Sequence, residues 1–86
     1  MDIRKVVGGN VRKYRARLGL SQEKLAEIAG LHRTYVSGVE RGVRNPTVTI
    51  VDLLAHALRV QPTELLKEDP PRRGKSLMLD RKNITG

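Results

Sequence analysis

Few side chains in this chain are equipped to act on another molecule, and most of those are cations or small hydroxyls. There is no Cys, so neither a disulfide framework nor a thiolate zinc site can form. The two histidines, His32 and His56, are too few for a metal site, no nucleophile motif is present, and the acids are scattered. These features point away from an enzyme and give no reason to expect a metal, a cofactor or a small-molecule ligand. What remains is a group between residues 32 and 45: His32, Arg33, Thr34, Tyr35, Ser37, Arg41, Arg44 and Asn45. A guanidinium donates two parallel N–H groups that match a pair of acceptors on a flat edge or on an anion. Such chemistry recognises; it does not make or break bonds.

Charge says what is recognised. Seventeen basic residues against nine acidic ones give a net charge of +8, which favours a polyanionic partner. Residues 1–20 carry six basic and one acidic residue, residues 31–46 three and one, and residues 70–86 five and one. Residues 47–69 are slightly acidic, with two and four. The opening MDIRKVV is too short and too charged for a signal peptide, and no apolar run approaches the ~18 residues of a membrane span. The expectation is a soluble, cytoplasmic protein that does not enter a membrane.

These groups need a scaffold, and the length limits it. A chain of 86 residues forms one domain and buries only about 60% of its unfolded surface. With 2% aromatic residues, the core must be Leu, Val, Ile and Ala, which suits packed helices. Ile3, Val7, Val11, Tyr14 and Leu18 recur at steps of three and four behind Asp2, the expected N-cap. Gly8 and Gly9 interrupt that pattern and suggest a close packing contact. Gly19 ends the first helix and Ser21 caps a second, with Leu25, Ala26, Ile28 and Ala29, that stops at Gly30. A third spans about His32 to Arg41 with Leu31, Tyr35, Val36 and Val39 aligned, ended by Gly42. Thr47 caps a fourth with Val51, Leu54, Ala55 and Leu58 on one face. Pro62 opens a short fifth carrying Leu65 and Leu66. The predicted fold class is all-α, a compact five-helix domain over residues 1–67 followed by a basic C-terminal tail, 68–86.

Residues 21–42 form two short helices joined by a turn with Gly, the helix-turn-helix arrangement. Counting from Gln22, the fifth position needs a small residue at the helix crossing and holds Ala26. The ninth needs one that tolerates positive φ and holds Gly30. The fourth, eighth, tenth, fifteenth and eighteenth should be apolar and hold Leu25, Ala29, Leu31, Val36 and Val39. Every constrained position is filled as the motif requires, so the polyanion is expected to be double-stranded DNA.

Separate elements agree in order and spacing over roughly residues 8–66: Gly8-x-x-Val11-Arg12-x-x-Arg15, Gly19-Leu20-Ser21-Gln22-x-x-Leu25-Ala26, Val39-Glu40-Arg41-Gly42, Asn45-Pro46-Thr47 and Leu54-Ala55-His56-Ala57-Leu58. On these residues the chain resembles the Cro and phage-repressor-like helix-turn-helix proteins, the xenobiotic-response-element family, whose fold is lambda-repressor-like. RTYVSGVERGVRNPT is similar to the controller proteins of restriction–modification systems. The resemblance implies a transcriptional regulator with its third helix in the major groove and base contacts from His32, Arg33, Thr34 and Ser37. Arg33 suits guanine O6 and N7, and Thr34 suits a base edge or a thymine methyl. Gly38 is expected on the same exposed face, with nothing to read with. Gln22, Tyr35, Arg41, Arg44 and Asn45 would meet phosphates, Gln22 aided by the helix N-terminus. For His32 a plain surface role, and for Tyr35 pure packing, stand beside these.

The same resemblance assigns Arg15 and Glu40 to an internal ion bridge between the first and third helices, and leaves Arg12, Lys13 and Arg17 chiefly as solvated charges. Where Arg59 stands the family often carries Gly, so a different turn is expected there. One recognition helix reads only a few base pairs, so a homodimer on a near-palindromic site is expected, through the fourth and fifth helices. In the tail, Arg72, Arg73, Lys75, Arg81 and Lys82 surround Leu77, Met78 and Leu79; disorder is the default, a phosphate-seeking or dimerising arm the alternative. A protein partner, as for an antitoxin or adaptor, is the competing function. RNA binding is disfavoured by having only two tyrosines as stacking platforms.

Overall fold

Asp2 starts the first helix as expected: its carboxylate accepts the Arg4 backbone N–H at 3.1 Å. The computed structural model describes residues 1–68, and in them five helices follow one another. These are α1 (Ile3–Arg17), α2 (Gln22–Ala29), α3 (Arg33–Glu40), α4 (Val48–Leu58) and α5 (Pro62–Leu66). No strand occurs among the described residues. Ser21 Oγ accepts from Lys24 N at 2.9 Å and Thr47 Oγ1 from Ile50 N at 3.2 Å, so both expected hydroxyl caps are made. Pro62 occupies the start of α5, where its missing N–H costs nothing. Apart from residue 68, the basic tail lies outside the described residues.

One core joins all five helices. Val7 and Val11 of α1, Leu25, Ala26 and Ala29 of α2, and Val36 and Val39 of α3 are buried in it. They meet Val51, Leu54, Ala55 and Leu58 of α4 and Leu65 of α5. Fully burying a Leu or Val contributes about 1.5–3 kcal/mol, so packing here outweighs any single polar contact. Ile3 and Leu18 depart from the expected buried stripe, at 47% and 41% exposure. They sit at the two ends of α1, beyond the stretch that the other helices cover.

Two glycines explain how closely the helices meet. A Cβ on Gly8 would run into the Val39 carbonyl oxygen and lie 2.8 Å from that of Glu40, so α1 crosses the end of α3 backbone against backbone. Gly9 has open space beside it. Gly30 adopts φ 74°, which turns the chain from α2 into α3 and lets Leu31 N donate to Ala26 O at 2.8 Å.

Asn10 is a buried polar residue in the middle of α1. Its Nδ2 donates to the carbonyls of Leu65 at 2.9 Å and Lys67 at 2.7 Å. It thereby satisfies acceptors at the end of α5 that no helical N–H reaches, and ties the end of the fold to α1.

Arg59 corrects an expectation. The turn after α4 keeps the left-handed conformation that suits Gly, with Arg59 at φ 63°. Arg59 N donates to His56 O at 3.1 Å and Val60 N to Ala55 O at 3.0 Å, so the helix end is closed and Val60 packs on the core. Those contacts outweigh the roughly 1–2 kcal/mol that a side chain costs in this region. Arg59→Gly should therefore raise the free energy of urea unfolding by about 1 kcal/mol, after allowing for glycine's greater unfolded freedom.

Candidate nucleic-acid interface

The candidate interface centres on α3, an eight-residue helix whose sequence divides it lengthwise. Val36 and Val39 are fully buried and fix it to the core, while His32, Arg33 and Thr34 are exposed at its start. The expected span of His32 to Arg41 shortens by one residue at each end: His32 is the N-cap, without a side-chain capping bond, and Arg41 the C-cap. Arg33 and Thr34 make no side-chain hydrogen bond or ion pair to other described residues, so their donors are available. Ser37 is half-exposed, and its Oγ accepts a long 3.4 Å bond from Arg41 Nε.

Tyr35 is half-buried against the core, and the Arg44 guanidinium carbon lies 5.7 Å from its ring centroid. Gly38 is buried, not exposed as expected, because the Arg44 side chain lies over it. Arg41, Arg44 and Asn45 are all exposed beyond the end of α3.

Beneath this face sits the predicted ion pair. Glu40 has a side chain with 0% exposure. Arg15 Nε donates to its Oε2 at 2.6 Å and Arg15 Nη2 to its Oε1 at 3.0 Å, a two-pronged contact between α1 and α3. A third Arg15 donor, Nη1, meets Leu20 O at 2.8 Å. Burial pushes the Glu40 carboxyl upward. The hydrogen bonds of Arg15 and Gln22, with the charges of Arg15 and Arg12, outweigh that and hold it below its ordinary value of 4.5. Arg15 is correspondingly raised by its hydrogen bonds to Glu40.

Two further side chains join the pair. Gln22 Nε2 donates to Glu40 Oε1 at 3.0 Å, which orients the amide at the start of α2 and leaves its oxygen and one N–H for an outside partner. Arg12, expected to be a solvated charge, reaches within 3.5 Å of Glu40 Oε1 while remaining 60% exposed. The roles of Asn10 and Gly38 emerge only from the fold. Asn10 carried a signal, a polar residue within the apolar stripe of α1; the Gly38–Arg44 contact carried none, because it depends on how the loop folds back.

Among the described residues no three His, Asp or Glu side chains gather as a metal site, and no helix is long and apolar enough to cross a membrane. The family model HTH_3, described as helix-turn-helix, matches residues 11–65. The chain belongs to that family. It is 52% identical over 66 residues to the control protein C.SmaI of Serratia marcescens, spanning 77% of this chain and 79% of that protein. The crystal structure of the restriction–modification controller protein C.AhdI from Aeromonas hydrophila is similar, with a TM-score of 0.70 and 47% identity over 72% of this chain and 94% of that one. SinR, a master regulator for biofilm formation solved in complex with DNA, gives a TM-score of 0.68 and 32% identity over 71% of this chain and 98% of that one. Membership in this family sets the function class as DNA-binding regulation of transcription.

The Glu40 site sets a stability test. Glu40→Ala leaves Arg15 without its partner and should cost about 3 kcal/mol in chemical denaturation, near the low end for a buried pair because Arg15 keeps some solvent access. Because the folded pKa is depressed, the carboxylate's contribution is complete above pH 4.5 and is lost as pH falls below that and through the folded value. Glu40→Gln should flatten this acid limb in unfolding curves measured across pH.

Proposed function

We propose that this protein regulates transcription by binding a near-palindromic operator in double-stranded DNA as a homodimer, with the first half of α3 in the major groove. The observation that carries the reading is the pair of exposed side chains Arg33 and Thr34, unpartnered among the described residues, at the start of a helix whose other face is locked into the core. In this reading Arg33 donates to guanine O6 and N7, Thr34 meets a base edge or a thymine methyl, and His32 and Ser37 add shorter contacts. Gln22, Tyr35, Arg41, Arg44 and Asn45 bind phosphates and set the register. Residues 1–67 form the reading unit and the protein works in the cytoplasm. Its likeness to C.AhdI supports a role as the controller of a restriction–modification system.

The second copy is assigned to the α4–α5 face. Residues 47–69 are the least basic part of the chain, so two copies meet there with little repulsion. Val48 is 87% exposed, and with Ile3, Pro62 and Leu66 it lines an open apolar groove of about 440 Å³.

Selection from random duplex DNA at several salt concentrations tests the reading. The expected result is a two-fold-symmetric site whose affinity falls steeply with salt. Arg33→Ala should lower preference for one base in each half-site by roughly 5- to 150-fold while leaving the melting temperature in place. Salt-sensitive binding with no enriched sequence would instead make a protein partner the principal target.

A further inference from the structure

Arg44 has no side-chain hydrogen bond or ion pair among the described residues, yet its side chain follows a defined course along α3. Its stem crosses Gly38, and its guanidinium carbon sits 5.7 Å from the Tyr35 ring centroid, one turn nearer the start of the helix. The root of the side chain is tied down, since Val43 N and Arg44 N both donate to the Gly38 carbonyl, at 3.0 and 3.2 Å. A Cβ on residue 38 would lie 2.5 Å from Arg44 Cγ and 3.3 Å from Nε. Cγ is close to the anchored backbone, so the clash is not relieved by swinging the tip; the whole arm would have to leave the helix and the ring.

We propose that Gly38 and Tyr35 are positioning residues that hold the Arg44 guanidinium as a preformed two-pronged donor for DNA. Gly38 then governs binding without touching the duplex. This rests on the DNA-binding reading above and adds to it the device that readies one contact. A free arginine gives up most of its rotamer freedom on docking, whereas one already laid along a helix gives up less. A flat guanidinium also stacks on the tyrosine face and keeps its N–H edge outward, which an ammonium does not do. The acceptor is a pair of oxygen or nitrogen atoms on DNA, either two phosphate oxygens or the O6 and N7 edge of guanine.

The test compares the parent, Gly38→Ala, Arg44→Ala and the double variant on the selected operator. Ala is the better helix former, which offsets part of the cost of displacing the arm, so Gly38→Ala should stay folded at the temperature of the binding assay. Its affinity should nevertheless fall roughly tenfold, about as far as that of Arg44→Ala, as for loss of one two-pronged contact. The double variant should bind no more weakly than Arg44→Ala alone. Parent-like binding by Gly38→Ala, or losses that multiply in the double variant, would overturn the proposal. If the acceptor is a phosphate, the salt slope drops by about one in both single variants; if it is guanine, the slope stays and preference relaxes at one position.

A measurement on the unbound parent keeps the idea testable should Gly38→Ala prove unstable. ¹⁵N relaxation at Arg44 Nε should give an order parameter close to that of the α3 backbone, near 0.85, and a value below about 0.6 would reject the preformed arm. Failure of the parent to select any DNA sequence would refute the functional reading itself, a result distinct from these.

Discussion

A carboxylate without solvent contact has to be surrounded by donors, and that requirement at Glu40 organises the half of the molecule built from α1, α2 and α3. Arg15 from α1, Gln22 from the start of α2 and Arg12 from the next turn of α1 all converge on it. An unpaired buried charge is far costlier than any one exposed contact, so α1, α2 and α3 are held in one mutual arrangement. The close crossing at Gly8 belongs to the same constraint. Glu40 can reach Arg15 because the end of α3 lies against the α1 backbone, where a Cβ would not fit. The apolar core supplies most of the cohesion; Glu40 supplies direction.

That arrangement separates the arginines by function. Arg15 is committed to the interior and Arg12 is partly drawn to it, although both lie in the most basic stretch of the chain. Among the described residues Arg33 is free of partners, and Arg44 rests on the aromatic face of Tyr35, which leaves its charge unpaired. A net charge of +8 therefore overstates the number of cations available to an outside partner. The short α3 presents Arg33 at its start, and the loop after it folds back over Gly38 so that Arg44 lies along the same helix. Gln22 lies between the two groups: it completes the shell of Glu40 and stands at the N-terminus of α2, so a phosphate docking there would press on the same contact that orients α3.

Much of the fold was legible because its determinants are local. Caps at Asp2, Ser21 and Thr47, the left-handed Gly30 and Pro62 at the start of α5 each act within a few residues, and periodicity marked Val7, Val11, Leu25, Val36, Val39, Leu54 and Leu58 as core. Ile3 and Leu18 fit the apolar period of α1 yet stay exposed, because periodicity does not encode where a covering helix stops. Arg59 departs from its local preference for a related reason. Local cost argued against a left-handed arginine, while the cost is met by hydrogen bonds and by Val60 packing beyond it.

The candidate site divides in the same way. Residue order alone determined the five helices, the helix-turn-helix spacing, the Arg15–Glu40 pairing through family likeness, and the exposure of Arg33 and Thr34. Only the tertiary structure decided that Gln22 and Arg12 turn toward Glu40, that Asn10 closes the end of α5, and that Gly38 is covered by Arg44. Each of these contacts joins side chains to groups whose relative positions come from helix crossing and loop return. Such distances are set by packing of the whole core, and no pattern within a single helix encodes them.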